Sequence, residues 1–386
     1  MRPKRLMTIF GTRPEAIKLA PVLQGLEEQT RIESVTAVTG QHREMLDQVL
    51  ELFGIIPDHD LDILQPGQSL AEITTRALDG LSRLMDDIEP DAVLVQGDTT
   101  STFAGALAAF YHRVPVVHLE AGLRTSDRYA PYPEEINRQL TSRLTTLHLA
   151  PTPRSRHNLL AEGIERDDVV VTGNTVIDAL LQTVDKHVEY GDPALKDIDA
   201  DPRRVLLVTA HRRESWGAPL EQVGQALANI AKAQPELLVV IPIHRNPVVR
   251  GALRPATEGH PNVLITEPLA YGAFARLMAR ADVILTDSGG IQEEGPSLGK
   301  PVLVMRNITE RPEAIDAGTA RLVGTDEATI EREVLQLFRD QSAYAQMANA
   351  VNPYGDGQAT RRCVSAIGQL LGVDERVDEF DPEADR

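Results

Sequence analysis

Three carboxylates in the first half of the chain stand where acid–base chemistry would need them. Asp98 follows an apolar run in Gln96-Gly97-Asp98-Thr99-Thr100, and Glu120 follows another in His118-Leu119-Glu120-Ala121-Gly122-Leu123-Arg124-Thr125. Glu134 lies in Tyr132-Pro133-Glu134-Glu135-Ile136-Asn137-Arg138, where Pro133 marks a helix start. A carboxylate at the end of a buried run needs a partner, a ligand or a proton. Taken singly these residues have plain structural uses: Asp98 can cap the helix that begins near Ser101, and acids in a first helical turn complement the helix dipole. Taken together, several carboxylates around one crevice push each other's pKa values apart and supply both an acid and a base.

A second group of residues is suited to an anion. The run Val283-Ile284-Leu285-Thr286 reads as a buried parallel strand, and Asp287-Ser288-Gly289-Gly290-Ile291-Gln292-Glu293-Glu294 follows it as a small-residue turn opening a helix. Ser288, Gly289 and Gly290 leave room for a ligand at the backbone, and the free N–H groups of the first turn face an anion. Glu294 is near enough along the chain to reach a sugar diol beside it, so the segment reads as a site for a nucleotide diphosphate. The first strand runs into Gly11-Thr12-Arg13-Pro14-Glu15-Ala16-Ile17-Lys18. Pro14 suits the first helical position, Arg13 sits at the helix mouth as a candidate phosphate ligand, and Lys18 lies about one turn further in. The Gly-x-Gly-x-x-Gly of nicotinamide-binding sheets is missing, which counts against a bound NAD. In the second half, His211-Arg212-Arg213 and His244-Arg245 also end strands. No close His/Cys/Asp cluster has metal-ligand spacing, and there is no Walker lysine loop.

These loops need strands and helices to hold them. Candidate strands fall at Leu6–Phe10, Val35–Thr39, Ala92–Gln96, Val114–Leu119, Leu147–Ala150 and Val169–Thr172, then at Val205–Thr209, Leu237–Ile243, Val263–Thr266, Val283–Thr286, Val302–Met305 and Arg321–Val323. Helical patterns such as Ser101–His112, Leu220–Ala233 and Ala273–Ala281 separate them. The β/α alternation over 386 residues predicts two doubly wound parallel sheets rather than one (β/α)8 barrel. The hinge is expected near Gly173-Asn174, giving domains over 1–173 and 174–354, with Tyr190–Arg204 a loop inside the second. A last helix over 355–372 would rejoin the first domain, and the acidic tail 373–386 is expected to be a disordered, solvated end. A net charge of −18 argues against nucleic acid and anionic membranes as main partners. A single cysteine, Cys363, and the lack of a signal-peptide core or a membrane-length apolar run fit an intracellular, cytoplasmic location.

At these residues the chain resembles the non-hydrolysing UDP-N-acetylglucosamine 2-epimerases. The matching stretches run in order from Gly11–Pro21 through Gln41–Leu50, Gly97–Thr100, Glu120–Thr125, Pro133–Arg138, Gly173–Leu180, His211–Glu214, Thr286–Glu294, Pro296–Met305 and Thr309–Ala314 to Asn352–Gln358. The resemblance implies a glycosyltransferase-B-like pair of Rossmann domains with the active site in the cleft between them, a homodimer, and no metal or nicotinamide cofactor. It implies that Ser288, Gly289, Gly290 and Glu294 hold UDP, with Glu294 on the ribose, and that Arg13 and His211 lie by the diphosphate. Asp98, Glu120 and Glu134 would be the acid/base carboxylates, with Lys18 near the cleft floor. The implied reaction converts UDP-N-acetylglucosamine reversibly into UDP-N-acetylmannosamine for polysaccharide biosynthesis, by loss and return of UDP through a glycal, with domain closure retaining the UDP. In bacterial relatives a second UDP-N-acetylglucosamine acts as an activator, and Gln41, Glu134, Arg212 or Arg213, and His244 resemble its site. Two positions depart from the pattern: Gly67 stands where some relatives have an arginine, and Gln96 where relatives often have a histidine.

Overall fold

The computed structural model describes residues 2–40, 43–65, 67–125 and 127–384, with Arg43 and Glu44 described in their backbone alone. The chain forms two compact units, one of 1–179 with 354–385 and the other of 180–353. The first unit therefore runs past the expected break at Gly173-Asn174. The Asn174 N–H donates to the Tyr354 carbonyl at 2.7 Å, which ties the returning chain to the same unit.

The first unit is built on seven parallel strands: β1 Lys4–Phe10, β2 Ile32–Val38, β3 His59–Asp60, β4 Ala92–Gln96, β5 Val116–Leu119, β6 Leu147–Ala150 and β7 Val169–Val171. Their spatial order is β3-β2-β1-β4-β5-β6-β7. The six expected strands are all present; β3 was not expected, because two residues at a sheet edge carry no periodic signal. β1, β4, β5 and β6 read as apolar runs because helices cover both faces, and Met7, Ile9, Val93 and Val95 are fully buried. The chain order reverses at the β1/β4 pair. In an open α/β sheet a crevice forms there, outside the carboxyl ends of the strands.

The returning helix Ala359–Leu370 packs on the helix Arg13–Glu27. Gly25 makes this approach possible, since a Cβ there would lie 3.0 Å from Thr360 Cγ2 and 3.1 Å from Val364 Cγ2. Asp178, from another helix, caps its start by accepting the Thr360 N–H at 2.8 Å. The acidic tail departs from the expectation of a wholly solvated end: it is anchored at Phe380, while Asp374, Glu375, Asp378, Asp381 and Glu383 stay exposed. Phe380 is buried and its N–H donates to the Val171 carbonyl at 2.8 Å. Glu379 pairs with Arg156 at 2.7 Å and with Arg166 at 3.2 Å. The edge of β7 offers unpaired carbonyls, and one buried aromatic outweighs the polarity of its acidic neighbours.

The second unit carries β8 Arg204–Thr209, β9 Leu237–Pro242, β10 Val263–Thr266, β11 Val283–Thr286, β12 Val302–Val304 and β13 Ala320–Leu322, in the order β10-β9-β8-β11-β12-β13. All six were expected within a residue or two. Its reversal falls at the β8/β11 pair. The segment Tyr190–Arg204 leads into β8 and holds two short 3₁₀ turns, Pro193–Leu195 and Ile198–Ala200. Among the described residues, no helix is long and apolar enough to cross a membrane.

Candidate active site

The first unit holds a pocket of about 460 Å³ at the carboxyl ends of β1, β4 and β5, and its lining includes Arg13, Lys18, Asp98, Glu120 and Glu134. The sequence scatters these residues over more than a hundred positions; the β1/β4 reversal gathers them. Glu15, which carried no role in the sequence reading, fastens the loops that frame the pocket. One of its carboxylate oxygens accepts the N–H groups of Gly11 and Thr12 at 3.0 and 2.7 Å, and the other accepts the hydroxyls of Thr99 and Thr102 at 2.7 and 2.9 Å. Arg13, the first residue of the helix that Glu15 secures, is exposed, and its side chain makes no hydrogen bond or ion pair among the described residues.

Glu120 is buried and sits at the end of β5 with φ of 63°, a left-handed conformation that costs a non-glycine residue about 1–2 kcal/mol. Lys18 Nζ lies 2.5 Å from its Oε1, Asn174 Nδ2 donates to the same oxygen at 3.2 Å, and Gln96 Nε2 donates to Oε2 at 2.5 Å. Asp98 is held differently. Arg138 Nη2 lies 3.0 Å from Asp98 Oδ2, and Asn137 Nδ2 donates to the Asp98 carbonyl at 3.0 Å. Burial pushes the Asp98 carboxyl up to about 6; the Arg138 and Lys18 charges oppose the rise, while Glu120 and Glu134 add to it. One carboxylate clamped by donors and another shifted toward neutral pH make a pair that can accept and donate protons near pH 7. His118 lies beneath them, fully buried, with Nε2 2.7 Å from the Gly97 carbonyl. Burial lowers it to about 3, so it is a neutral prop for the Gly97-Asp98 turn.

In the second unit the β8/β11 reversal brings His211 and Arg212 beside the Ser288 turn. Asp287, buried at the end of β11, organises both loops: its Oδ2 accepts the N–H groups of His211 and Arg212 at 2.7 and 2.8 Å, and His211 Nδ1 lies 2.8 Å from its Oδ1. Burial would raise the Asp287 carboxyl, but the His211 ring and these N–H groups together hold it below the usual range. Thr209 and Thr286 join β8 to β11 through hydroxyls 2.7 Å apart. Ser288 is the N-cap of the helix Gly289–Ser297, and its hydroxyl makes no capping bond. The first-turn N–H groups are thus presented outward, as an anion site requires.

A Cβ on Gly289 would come 3.8 Å from Arg212 Nη2, so the Arg212 guanidinium lies alongside the turn. Arg213 is turned elsewhere, its guanidinium 5.9 Å from the centre of the Trp216 ring. The His244 ring stands 6.1 Å from that of His211. Glu294 is buried at the far end of the turn and accepts the Tyr271 hydroxyl at 3.2 Å. Sequence reasoning missed Tyr271, since a tyrosine opening a helix after a loop reads as ordinary packing. It also missed Asp287, whose one available signal was a polar residue directly after a buried strand, and Asn174, a polar residue two positions beyond Thr172 in the loop that follows β7. Gln41, read as part of a second site, lies outside the described residues.

Two Rossmann-like domains, each with its polar residues at a sheet reversal, define a glycosyltransferase-B-like fold. A solved glycotransferase of kitacinnamycin shares this fold at a TM-score of 0.64 and 15% identity. The chain matches the family model described as UDP-N-acetylglucosamine 2-epimerase over residues 24–368. It is 53% identical over 368 residues to a UDP-N-acetylglucosamine 2-epimerase of Salmonella typhimurium, covering 94% of this chain and 98% of that one. The crystal structure of a UDP-GlcNAc 2-epimerase from Neisseria meningitidis bound to UDP-GlcNAc matches with a TM-score of 0.83 at 48% identity, over 95% of this chain and 100% of that one. The chain belongs to the UDP-N-acetylglucosamine 2-epimerase family.

Proposed function

We propose that this protein interconverts UDP-N-acetylglucosamine and UDP-N-acetylmannosamine without hydrolysis. The C2 proton of the intact sugar is not acidic. Expelling UDP from C1 with loss of that proton gives a 2-acetamidoglucal, and re-adding UDP with a proton on the opposite face of C2 gives the epimer. The C1–O bond electrons leave with UDP and return with it, so no net oxidation occurs. Such a route needs proton-transfer groups serving both faces of C2 and stabilisation of the departing diphosphate.

The convergence of Asp98, Glu120 and Glu134 with Lys18 on one pocket carries this reading. In it, these carboxylates transfer protons. Arg13 and His211 lie by the diphosphate and stabilise its departure, the Ser288–Gly290 turn and Glu294 hold the nucleotide, and Arg212, Arg213 and His244 serve a second, activating nucleotide sugar. The active species is a cytoplasmic homodimer.

The test is turnover of UDP-N-acetylglucosamine in heavy water, followed by proton NMR. The expected products are UDP-N-acetylmannosamine and recovered substrate, both with deuterium at C2. Free N-acetylmannosamine with UDP would instead mark a hydrolysing enzyme, and an epimer without solvent label would rule out proton removal and return.

A further inference from the structure

Glu120 is the most restrained acid in the pocket, and two of its partners carry no charge and have no assigned role. Gln96 is 2% exposed and closes β4; Asn174 is 4% exposed and follows β7. Gln96 reaches Oε2 of the carboxylate, and Asn174 reaches Oε1 beside Lys18. Asn174 is itself fixed at both ends: its N–H donates to the Tyr354 carbonyl, and its Oδ1 accepts the Val176 N–H at 3.1 Å. Because that oxygen is occupied at the helix start, the amide nitrogen is the end that faces Glu120. The backbone of Glu120 is in a left-handed conformation, so its side chain does not leave the strand in the ordinary direction.

We propose that Gln96 and Asn174 are positioning residues that fix the Glu120 carboxylate in one orientation, each oxygen committed to a donor, so that it presents an ionised base to the sugar. This rests on the reading of Glu120 as a proton-transfer group. Two amides and an ammonium converging on one carboxylate stabilise its charged form and stop it rotating, and a positioning error near 1 Å can cost roughly 100-fold in rate. Among the described residues, the charged and titratable groups that act on Glu120 include Lys18 on the helix Arg13–Glu27, Asp98 after β4 and His118 on β5; Glu134 and Arg138, on the helix Glu134–Leu144, act on Asp98.

The experiment measures kcat and KM across pH for the intact protein and for Gln96→Leu, Gln96→His, Asn174→Asp and Glu120→Gln. Gln96→Leu should lower kcat roughly 10- to 100-fold with KM within about twofold, and should move the acidic limb of the kcat profile up by about one pH unit. Gln96→His keeps a ring N–H donor and should restore most of both. Asn174→Asp keeps the oxygen that caps Val176 but sets an acid against Glu120, so it should shift the same limb in the same direction. If Gln96→Leu does not fold, Asn174→Asp decides alone. An inactive Glu120→Gln together with an unmoved acidic limb in the amide variants would overturn this inference. Near-normal turnover in Glu120→Gln would instead overturn the role given to Glu120 itself.

Discussion

At the N-terminal edges of their sheets the two units are built alike. In the first, the Arg5 N–H on β1 donates to Asp91 before β4; in the second, the Val205 N–H on β8 donates to Asp282 before β11, both at 2.8 Å. At the opposite edges they diverge. The β1/β4 reversal fills with buried or half-buried acids, Glu15, Asp98 and Glu120, while the β8/β11 reversal presents a glycine turn, backbone N–H groups, the His211 ring and the Arg212 guanidinium around one buried Asp287. A shared scaffold thus supports two electrostatic environments because the loops after the strands, not the strands, carry the side chains that differ. The first suits proton transfer and the second suits holding a diphosphate.

The sharpest way to break this contrast is to neutralise the acidic side. Asp98→Asn, Glu120→Gln and Glu134→Gln should each lower turnover by at least ~100-fold while UDP still binds, the usual scale for losing an acid or base. Steady-state rates with calorimetric UDP titration check this; weakened UDP binding in all three would mean that the acids serve the nucleotide instead.

Asp98 offers a second test, in stability. Its folded pKa is raised from 3.8 to about 6. The native state therefore binds this proton more tightly than the unfolded chain. Stability from this group is full below about pH 4 and is lost as pH rises through about 6, by at most about 3 kcal/mol. Asp98→Asn should therefore raise the melting temperature more at pH 7.5 than at pH 4. Equal changes at both pH values would show that Asp98 is not destabilised by burial.

On the second unit, Glu294→Ala should leave the fold intact and weaken UDP by roughly 1.5–3 kcal/mol, as should Arg13→Ala on the first. Titration calorimetry reads this directly, and unchanged affinity in both would place the nucleotide elsewhere. The smallest effect is expected far from either reversal. Glu379→Ala removes partly exposed pairs with Arg156 and Arg166 and should cost no more than about 1 kcal/mol in urea unfolding, with turnover unchanged.

The sequence by itself determined the two doubly wound sheets, because parallel strands covered on both faces must be apolar runs and a crossover helix must separate them. Twelve of the strands, the helix after Pro14 and the Ser288-Gly289-Gly290 turn were legible in this way. It also offered Asp98, Glu120 and Glu134 as candidates, each following a strand or opening a helix, together with the family resemblance. What it could not determine was set by contacts across long separations. The gathering of the carboxylates depends on strand order, since β1 lies beside β4 and not beside β3. The donors on Glu120 come from positions 18, 96 and 174, and no local pattern links them. Tyr271 meets Glu294 through tertiary packing alone. The acidic tail was misread because composition measures average polarity, whereas the fate of 373–384 turned on one phenylalanine and the open edge of β7.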